Sequence, residues 1–171
     1  MASNGVGGIC GFFGGTWVNN AVTLGYVVGC ANYGNISGNN EANGISGSGR
    51  GCSYFYGDYN GGTVSADGGE DSMFAITVDS TSAPQIYGCC YTEGLGDYSA
   101  VRKNYSYLNE RVSFVDGEEV TFADAVAEMN AAIEQYNAKV DVKCNYRYVL
   151  NTNPTTSEAY PLILQEVTDA Q

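Results

Sequence analysis

The sequence predicts a mainly β chain: a parallel β-solenoid (β-helix) of about three irregular coils, closed by a small C-terminal α/β cap with one amphipathic helix. Three observations lead there. A turn-and-strand motif recurs; residues 1–100 hold 22 of the 23 glycines; and residues 101–171 hold six of the seven basic residues with a single glycine. Two parts are therefore expected. Residues 1–109 are glycine-rich β-solenoid repeats, and 110–171 are a capping segment made of a hairpin, a helix at about 122–137, a strand at about 140–150 and a short last strand.

The motif is clearest from Cys30 to Gly38, Cys-Ala-Asn-Tyr-Gly-Asn-Ile-Ser-Gly, and its pattern returns at Asp58 to Ala66 and at Cys90 to Gly96. Each copy has a small or polar lead residue, Asn or Thr two later, Gly four later, and then an apolar residue, Ile36, Val64 or Leu95. Asn and Gly accept positive φ at little cost, so they predict a turn, and the apolar residue predicts the start of a strand. Intervals of 28 and then 32 residues predict stacked coils instead of a closed sheet. On this alignment Cys30 and Cys90 are equivalent, and we read them as small residues stacked inside the coils. A disulfide in an exported chain is the other use open to the six cysteines.

A second echo alternates with the first. Gly8-Ile9-Cys10-Gly11 returns 36 residues on as Gly44-Ile45-Ser46-Gly47, each glycine pair bracketing an apolar side chain about which the backbone bends. Strands are expected at Trp17 to Val22, Leu24 to Val28, Ser53 to Tyr56 and Met73 to Val78. The last has lost its glycines, as a terminal unit facing a cap does.

These Gly-Ile-x-Gly pairs, with intervening turns such as Cys30-Ala31-Asn32-Tyr33-Gly34, resemble the GLUG repeats of bacterial surface and secreted proteins, with Ile in place of the usual Leu. The closing segments of that family are similar to Asn104-Tyr105-Ser106-Tyr107-Leu108, Met129-Asn130 and Tyr160-Pro161-Leu162 here. The resemblance implies a parallel β-solenoid in an extracellular or cell-surface bacterial protein with an adhesin-like role. It carries over no catalytic residue, because the family motif is structural.

Past residue 110 the hydrophobic period changes. Val112 to Val115, Asp116-Gly117 and Glu118 to Val120 predict a tight hairpin, Asp-Gly suiting a type I′ turn. Thr121 then caps a helix, and Asp124 three residues on completes a capping box. Phe122, Val126, Met129, Ile133 and Tyr136 form one apolar stripe over about four turns. The helix is expected to stop near Asn137 in a left-handed C-terminus. Val140, Val142, Cys144, Tyr146 and Tyr148 alternate with polar residues, as in a strand with one buried face. Asn153-Pro154 marks a turn and Pro161 to Leu164 the last strand. The helix stripe is expected across the end of the solenoid or against this small sheet, where it covers strand edges.

Composition excludes several functions. A net charge of −12 argues against nucleic acid and against an anionic membrane surface. No run reaches the roughly 20 apolar residues of a membrane helix. The N-terminus lacks a basic segment followed by an apolar one, and Met1 runs almost directly into a repeat, so we expect a piece of a longer exported protein. Histidine is absent, which removes the usual general base and the Ser-His and Cys-His nucleophile pairs. Arg50, two residues from Cys52, is the one cation of the first part, and a loop explains it equally well. Asp67, Glu70 and Asp71 could bind Ca²⁺, but they lack EF-hand spacing and read as a solvated loop. Paired carboxylates of a glycan-cleaving β-helix cannot be placed on one groove from sequence. We therefore expect no enzymatic activity, no cofactor and no metal.

The tyrosines are the remaining lead. Ten of the 14 precede residue 110, and Tyr54, Tyr56 and Tyr59 are the densest group. On an open face they would stack on sugars or bury into a protein partner. Inside the coils they would be ladders, since neighbouring strand positions face opposite ways. The expected partners are a host or bacterial surface glycan or protein and the rest of a longer parent chain. Expected function divides between a structural or adhesin-like module, a carbohydrate-binding solenoid using Tyr54, Tyr56 and Tyr59, and a glycan-active enzyme.

Overall fold

The structure, a computed structural model, describes residues 5–11, 14–19, 21–49, 53–68, 72–79, 84–92, 99–101, 112–115 and 120–168. Among the described residues it is mainly β, with most strands in parallel sheets, two antiparallel strand pairs and one helix. A first tier holds β1 (Gly5–Gly7), the hairpin β2 (Thr16–Val18) and β3 (Ala21–Thr23), β4 (Gly25–Val28), β5 (Ala31–Asn32) and β6 (Ile36–Gly38). The second holds β7 (Glu41–Asn43), β8 (Ser46–Gly49), β9 (Ser53–Tyr56), β10 (Tyr59–Asn60) and β11 (Val64–Ala66). The third holds β12 (Met73–Asp79), β13 (Gln85–Tyr87) and β14 (Cys89–Thr92). Parallel ladders join each tier to the next: β1 to β7 to β12, β4 to β9 to β13, β5 to β10 to β14, and β6 to β11. β15 (Ser99–Val101) and β16 (Val112–Val115) continue two of these sheets, also in parallel. This arrangement is compatible with a solenoid-like fold.

The recurring motif sets the register. Val64 pairs with Ile36, and Asn60 with Asn32, 28 residues apart. Asn32 Nδ2 donates to Asn60 Oδ1 at 2.7 Å, so the two amides stack between tiers. Each also clamps the glycine two residues on: Gly34 N donates to Asn32 Oδ1 at 3.1 Å and Gly62 N to Asn60 Oδ1 at 3.3 Å. The reason for these glycines differs from the expectation. Positive φ among the described glycines occurs only at Gly29, Gly57 and Gly88. Gly62 instead answers to stacking, since a Cβ there would lie 2.1 Å from Gly34 O. The second echo also pairs: Cys10 bridges Ser46, and Ile9 N donates to Ile45 O at 2.9 Å.

The third register is one residue off the expected one. Tyr59 pairs with Cys90, so Cys89, not Cys90, takes the lead position after Cys30 and Asp58. A one-residue step reverses which face a side chain occupies. Cys89 packs inside with Val27, Phe55 and Ile86, whereas Cys90 lies outside with Tyr59 and the helix. The candidate Leu95 and the segment Asn104 to Leu108 lie outside the described residues. Another correction concerns Trp17 to Val22. It is not one strand but an antiparallel hairpin, with Val18 opposite Ala21 and Asn19 at φ 51°. Asn is among the residues that tolerate this region, which a tight hairpin turn needs.

α1 (Phe122–Asn137) has the expected bounds and capping box: Thr121 Oγ1 accepts from Asp124 N, and Asp124 Oδ2 accepts from Thr121 N, both at 3.2 Å. It does not end left-handed. Ala138 stays near helical at φ −70°, while Asn137 turns its amide to the Cys144 backbone, accepting from N at 2.8 Å and donating to O at 3.0 Å. Lys143 Nζ donates to the carbonyls of Asn137 and Val140. The bond to Asn137 O uses one of the helix's spare carbonyls, and together these bonds hold 138–145 as a loop. The strand expected from about 140 therefore starts only at β17 (Tyr146–Leu150), and Val142 is 78% exposed. β17 pairs antiparallel with β18 (Leu162–Glu166). Of the expected hairpin at 112–120, residues 116–119 lie outside the described residues.

The helix runs along the flank of the tiers and not across their end. A Cβ on Gly88 would meet Glu128 O at 2.8 Å, one on Gly57 Met129 O at 2.5 Å, and one on Gly29 the Ile133 side chain at 3.2 Å. The three left-handed glycines thus form one column at a bend between sheets, and α1 rests on it. Its other side packs on β17 as expected, where the Asn130 amide brackets the Tyr148 backbone at 2.9 and 2.8 Å. Two cores follow. Val27, Ile45, Phe55, Ala75, Ile76, Ile86, Cys89 and Tyr91 fill the inside of the sheets. Tyr59, Cys90, Ala125, Met129, Ile133, Tyr148 and Leu162 fill the space between sheet, helix and hairpin.

Candidate functional site

Strands β4, β9 and β13 run in register, and alternation gives their residues two faces. Val27, Phe55 and Ile86 pair in a row and point inward. The rows on either side, Tyr26–Tyr54–Gln85 and Val28–Tyr56–Tyr87, point outward. Tyr136 from the last turn of α1 folds onto this outer face. Its ring centroid is 5.3 Å from Tyr26 in an edge-on contact and 5.7 Å from Tyr56. Tyr56 stacks on Tyr87 at 4.6 Å, and Tyr26 lies 5.4 Å from Tyr54. The offset and edge geometries are those that aromatic quadrupoles favour.

One cation completes the patch. Lys139 Nζ sits 5.4 Å from the Tyr56 ring centre and 5.2 Å from that of Tyr87, and donates to Tyr56 Oη at 3.3 Å. A cation over ring faces at this range is an attractive contact. Burial, then the neighbouring Tyr54, Tyr56 and Tyr136 phenols, push the Tyr26 hydroxyl up, against the pull of Lys139. It is therefore a neutral donor through the physiological range. Ring faces with phenol tips and one ammonium suit stacking on a sugar or on another planar group.

The three tyrosines expected as a binding group do not share an open face. Tyr54 is half-buried in the patch, and Tyr56 is 1% exposed beneath its neighbours. Tyr59 is fully buried on a different sheet, 5.4 Å from Tyr33 and with its hydroxyl 2.5 Å from Thr92 Oγ1. Tyr59 does point out of the stacked sheets, but α1 and the β17–β18 hairpin cover it. Sequence reasoning missed Tyr26, Tyr87 and Tyr136. The signal for the first was present: Tyr26 lies 28 residues before Tyr54, the spacing of the motif itself.

A second cluster, inside, was also missed. Asp58 is fully buried between the lead positions of the neighbouring tiers. Its Oδ1 accepts from Cys30 N at 2.9 Å, and Cys89 Sγ lies 3.9 Å from Oδ2. Burial outweighs these bonds and raises the carboxyl to about 8, so it is a neutral acid at pH 7. Burial, and then Asp58, likewise push the Cys89 thiol well above its usual range. A neutral acid against a neutral thiol with no solvent access is a structural pair. Among the described residues, no cluster of three or more Cys, Asp or Glu has the geometry to hold a metal ion. Asp67 is exposed, and Glu70, Asp71, Arg50 and Cys52 lie outside the described residues. No described helix is long and apolar enough to cross a membrane.

Comparison with known proteins returns no match to this chain, whether to a family model, to a curated protein or to a solved structure.

Proposed function

We propose that this chain is a non-catalytic structural or adhesin-like module of a bacterial cell-surface or secreted protein, wound as a parallel β-solenoid of about three irregular coils with a C-terminal α/β cap. One observation carries the reading: the motif that recurs in the sequence is also the unit of parallel pairing. Cys30 to Gly38 and Asp58 to Ala66 align by their turn chemistry, and the ladders join them at that same offset, Ala31 to Tyr59 and Ile36 to Val64. Repeats whose turns stack by Asn amides and whose interiors are apolar build a stiff scaffold with exposed flanks. The surface location, and a longer parent chain as partner, rest on the GLUG-like glycine pairs. Antibody against the purified chain should label intact cells or the culture medium of the producing bacterium. Labelling only after lysis, or release of new ends from a panel of polysaccharides, would contradict the reading.

A second reading has its own observation. The flank carries half-buried Tyr26, Tyr54, Tyr87 and Tyr136 around Lys139, an arrangement suited to a surface glycan. A glycan array should then give saturable binding that Tyr54→Ala and Tyr26→Ala abolish while thermal unfolding stays cooperative. Binding unchanged by both substitutions would put the glycan elsewhere.

A further inference from the structure

A cleft of about 480 Å³ opens at the first tier, and its walls come from both faces of one strand. Cys10, Val27 and Cys30 line it from the interior core. Val28 and Cys144 line it from the core beneath the helix, and Tyr26 and Tyr136 from the tyrosine patch. A space bounded by inward and outward residues of β4 alike runs over the edge of that strand. Among the described residues this edge is unpaired, since β4 ends the ladder β4–β9–β13. Gly29 N donates to Tyr56 O, so alternate residues of this parallel ladder turn their N–H and C=O toward β9. Tyr26 and Val28 turn theirs the other way, into the cleft. Cys30 Sγ donates weakly to Val28 O at 3.6 Å, and the two N–H groups have no partner among the described residues. Apolar exposure is concentrated at the same end. Ile9 heads the row Ile9–Ile45–Ile76, yet it is 43% exposed while the other two are fully buried. Among the described side chains ahead of α1, the exposed large apolar ones are Val6, Ile9 and Leu24, all of the first tier. The cleft also offers no free charge. Lys143 Nζ is taken up by the carbonyls of Asn137 and Val140, and burial, then Asp58, push the Cys30 thiol up to about 12.

We propose that the open edge of β4 is a docking site for an extended, uncharged segment of a partner protein, which joins the sheet as one more strand. The ladder it continues sets what it carries. Val27–Phe55–Ile86 is an apolar inward row, flanked by the outward rows Tyr26–Tyr54–Gln85 and Val28–Tyr56–Tyr87. The added strand therefore places an apolar side chain over Val27, and on either side of it residues that lie against Tyr26 and Tyr136. Aromatic residues there gain ring contacts. Its main chain supplies acceptors to the N–H groups of Tyr26 and Val28, while its alternate side chains give selectivity. A second copy of this chain fits the edge less well, because each copy brings a net charge of −12 to the contact.

The test follows amide hydrogen exchange of the full chain, residue by residue, by NMR. The probe is the peptide Ser-Tyr-Phe-Tyr-Gly, which copies the outward–inward–outward pattern of β9, blocked at both ends and extended with serines for solubility. In the chain alone, Tyr26 and Val28 are expected to exchange freely while Val27, bonded to β9, is protected. Saturating peptide should slow exchange at Tyr26 and Val28 by about tenfold or more. The same peptide N-methylated at both tyrosines and the phenylalanine cannot pair as a strand and should leave them unchanged. The proposal is overturned if Tyr26 and Val28 are already protected in the dilute chain, which would mean that its own residues cover the edge. It is equally overturned if their protection rises with chain concentration alone, the mark of a second copy. Slowing by the N-methylated peptide to the same extent, or no slowing by either peptide, would also overturn it.

Discussion

At the scale of single residues, Asp58 has the largest consequence. Its carboxyl titrates near 8 when folded, against 3.8 ordinarily. Between those values the folded chain holds a proton that the unfolded chain has released, so stability falls as pH rises. The neutral acid's contribution is full below pH 4 and gone once pH passes through 8. The complete loss is on the order of 5 kcal/mol, enough to unfold a marginal domain. Asp58→Asn keeps an acceptor for Cys30 N and cannot ionise. Denaturant unfolding at pH 5 and pH 9 should show a large drop for the parent chain and a much smaller one for the variant; equal drops would contradict a neutral buried acid. The same scale shows why the site was only partly legible. Tyr56 and Tyr59 are outward residues of their strands, as alternation indicates. They are covered by Tyr87, Lys139, α1 and the hairpin. Those are tertiary neighbours, and no local pattern around residues 54–59 encodes them.

At the scale of elements, glycines that look alike in sequence have different duties. Gly57 has φ +60°, and a Cβ there would strike Met129 O at 2.5 Å, so Gly57→Ala meets both backbone strain and the helix. It should cost about 2 kcal/mol or more and weaken the docking of α1. Gly34 has no positive φ, and its Cβ would lie 3.5 Å from Asn32 Oδ1, so Gly34→Ala should shift the melting temperature little. Thermal melts of the pair check this: similar losses would contradict the column of left-handed glycines beneath the helix. Thr121→Ala should cost about 1 kcal/mol by removing the N-cap, read as an earlier denaturation midpoint. Bounds set by local chemistry were readable. Thr121 and Asp124 mark the start of α1, and the apolar stripe marks its length. The left-handed geometry expected at that end was not, because the Asn137 amide is engaged by Cys144 seven residues away. Nor was the third register: Cys89 and Cys90 are chemically equal candidates for one lead position, and only the packing of Ile86 and Tyr91 inside decides between them.

At the scale of the whole molecule, the fold is a stack of short parallel ladders held by two cores, one inside the sheets and one beneath the helix. Short strands of two to four residues would be weak alone. They are stable here because equivalent positions repeat: Val27, Phe55 and Ile86 in one row, Ile36 and Val64 in another, Asn32 and Asn60 in a third. Removing a link between tiers should therefore act beyond its own strand. Asn60→Ala removes the acceptor that Asn32 Nδ2 and Gly62 N share and should lower stability by about 1–3 kcal/mol, with faster hydrogen exchange at residues 31–34 as well as 59–62. Exchange changes confined to 59–62 would mean the tiers are not coupled. The general architecture was legible because turn chemistry recurs with the period of the stack; the flank position of α1 was not, since the stripe names a buried face without naming what covers it. The most direct test of the stacked register is the nuclear Overhauser pattern between side chains 28 and 31 residues apart. Paired rows predict methyl contacts from Ile36 to Val64, and from the Phe55 ring to both Val27 and Ile86. Absence of the Ile36–Val64 contact, or a Phe55 ring that touches neither neighbour, would contradict the account.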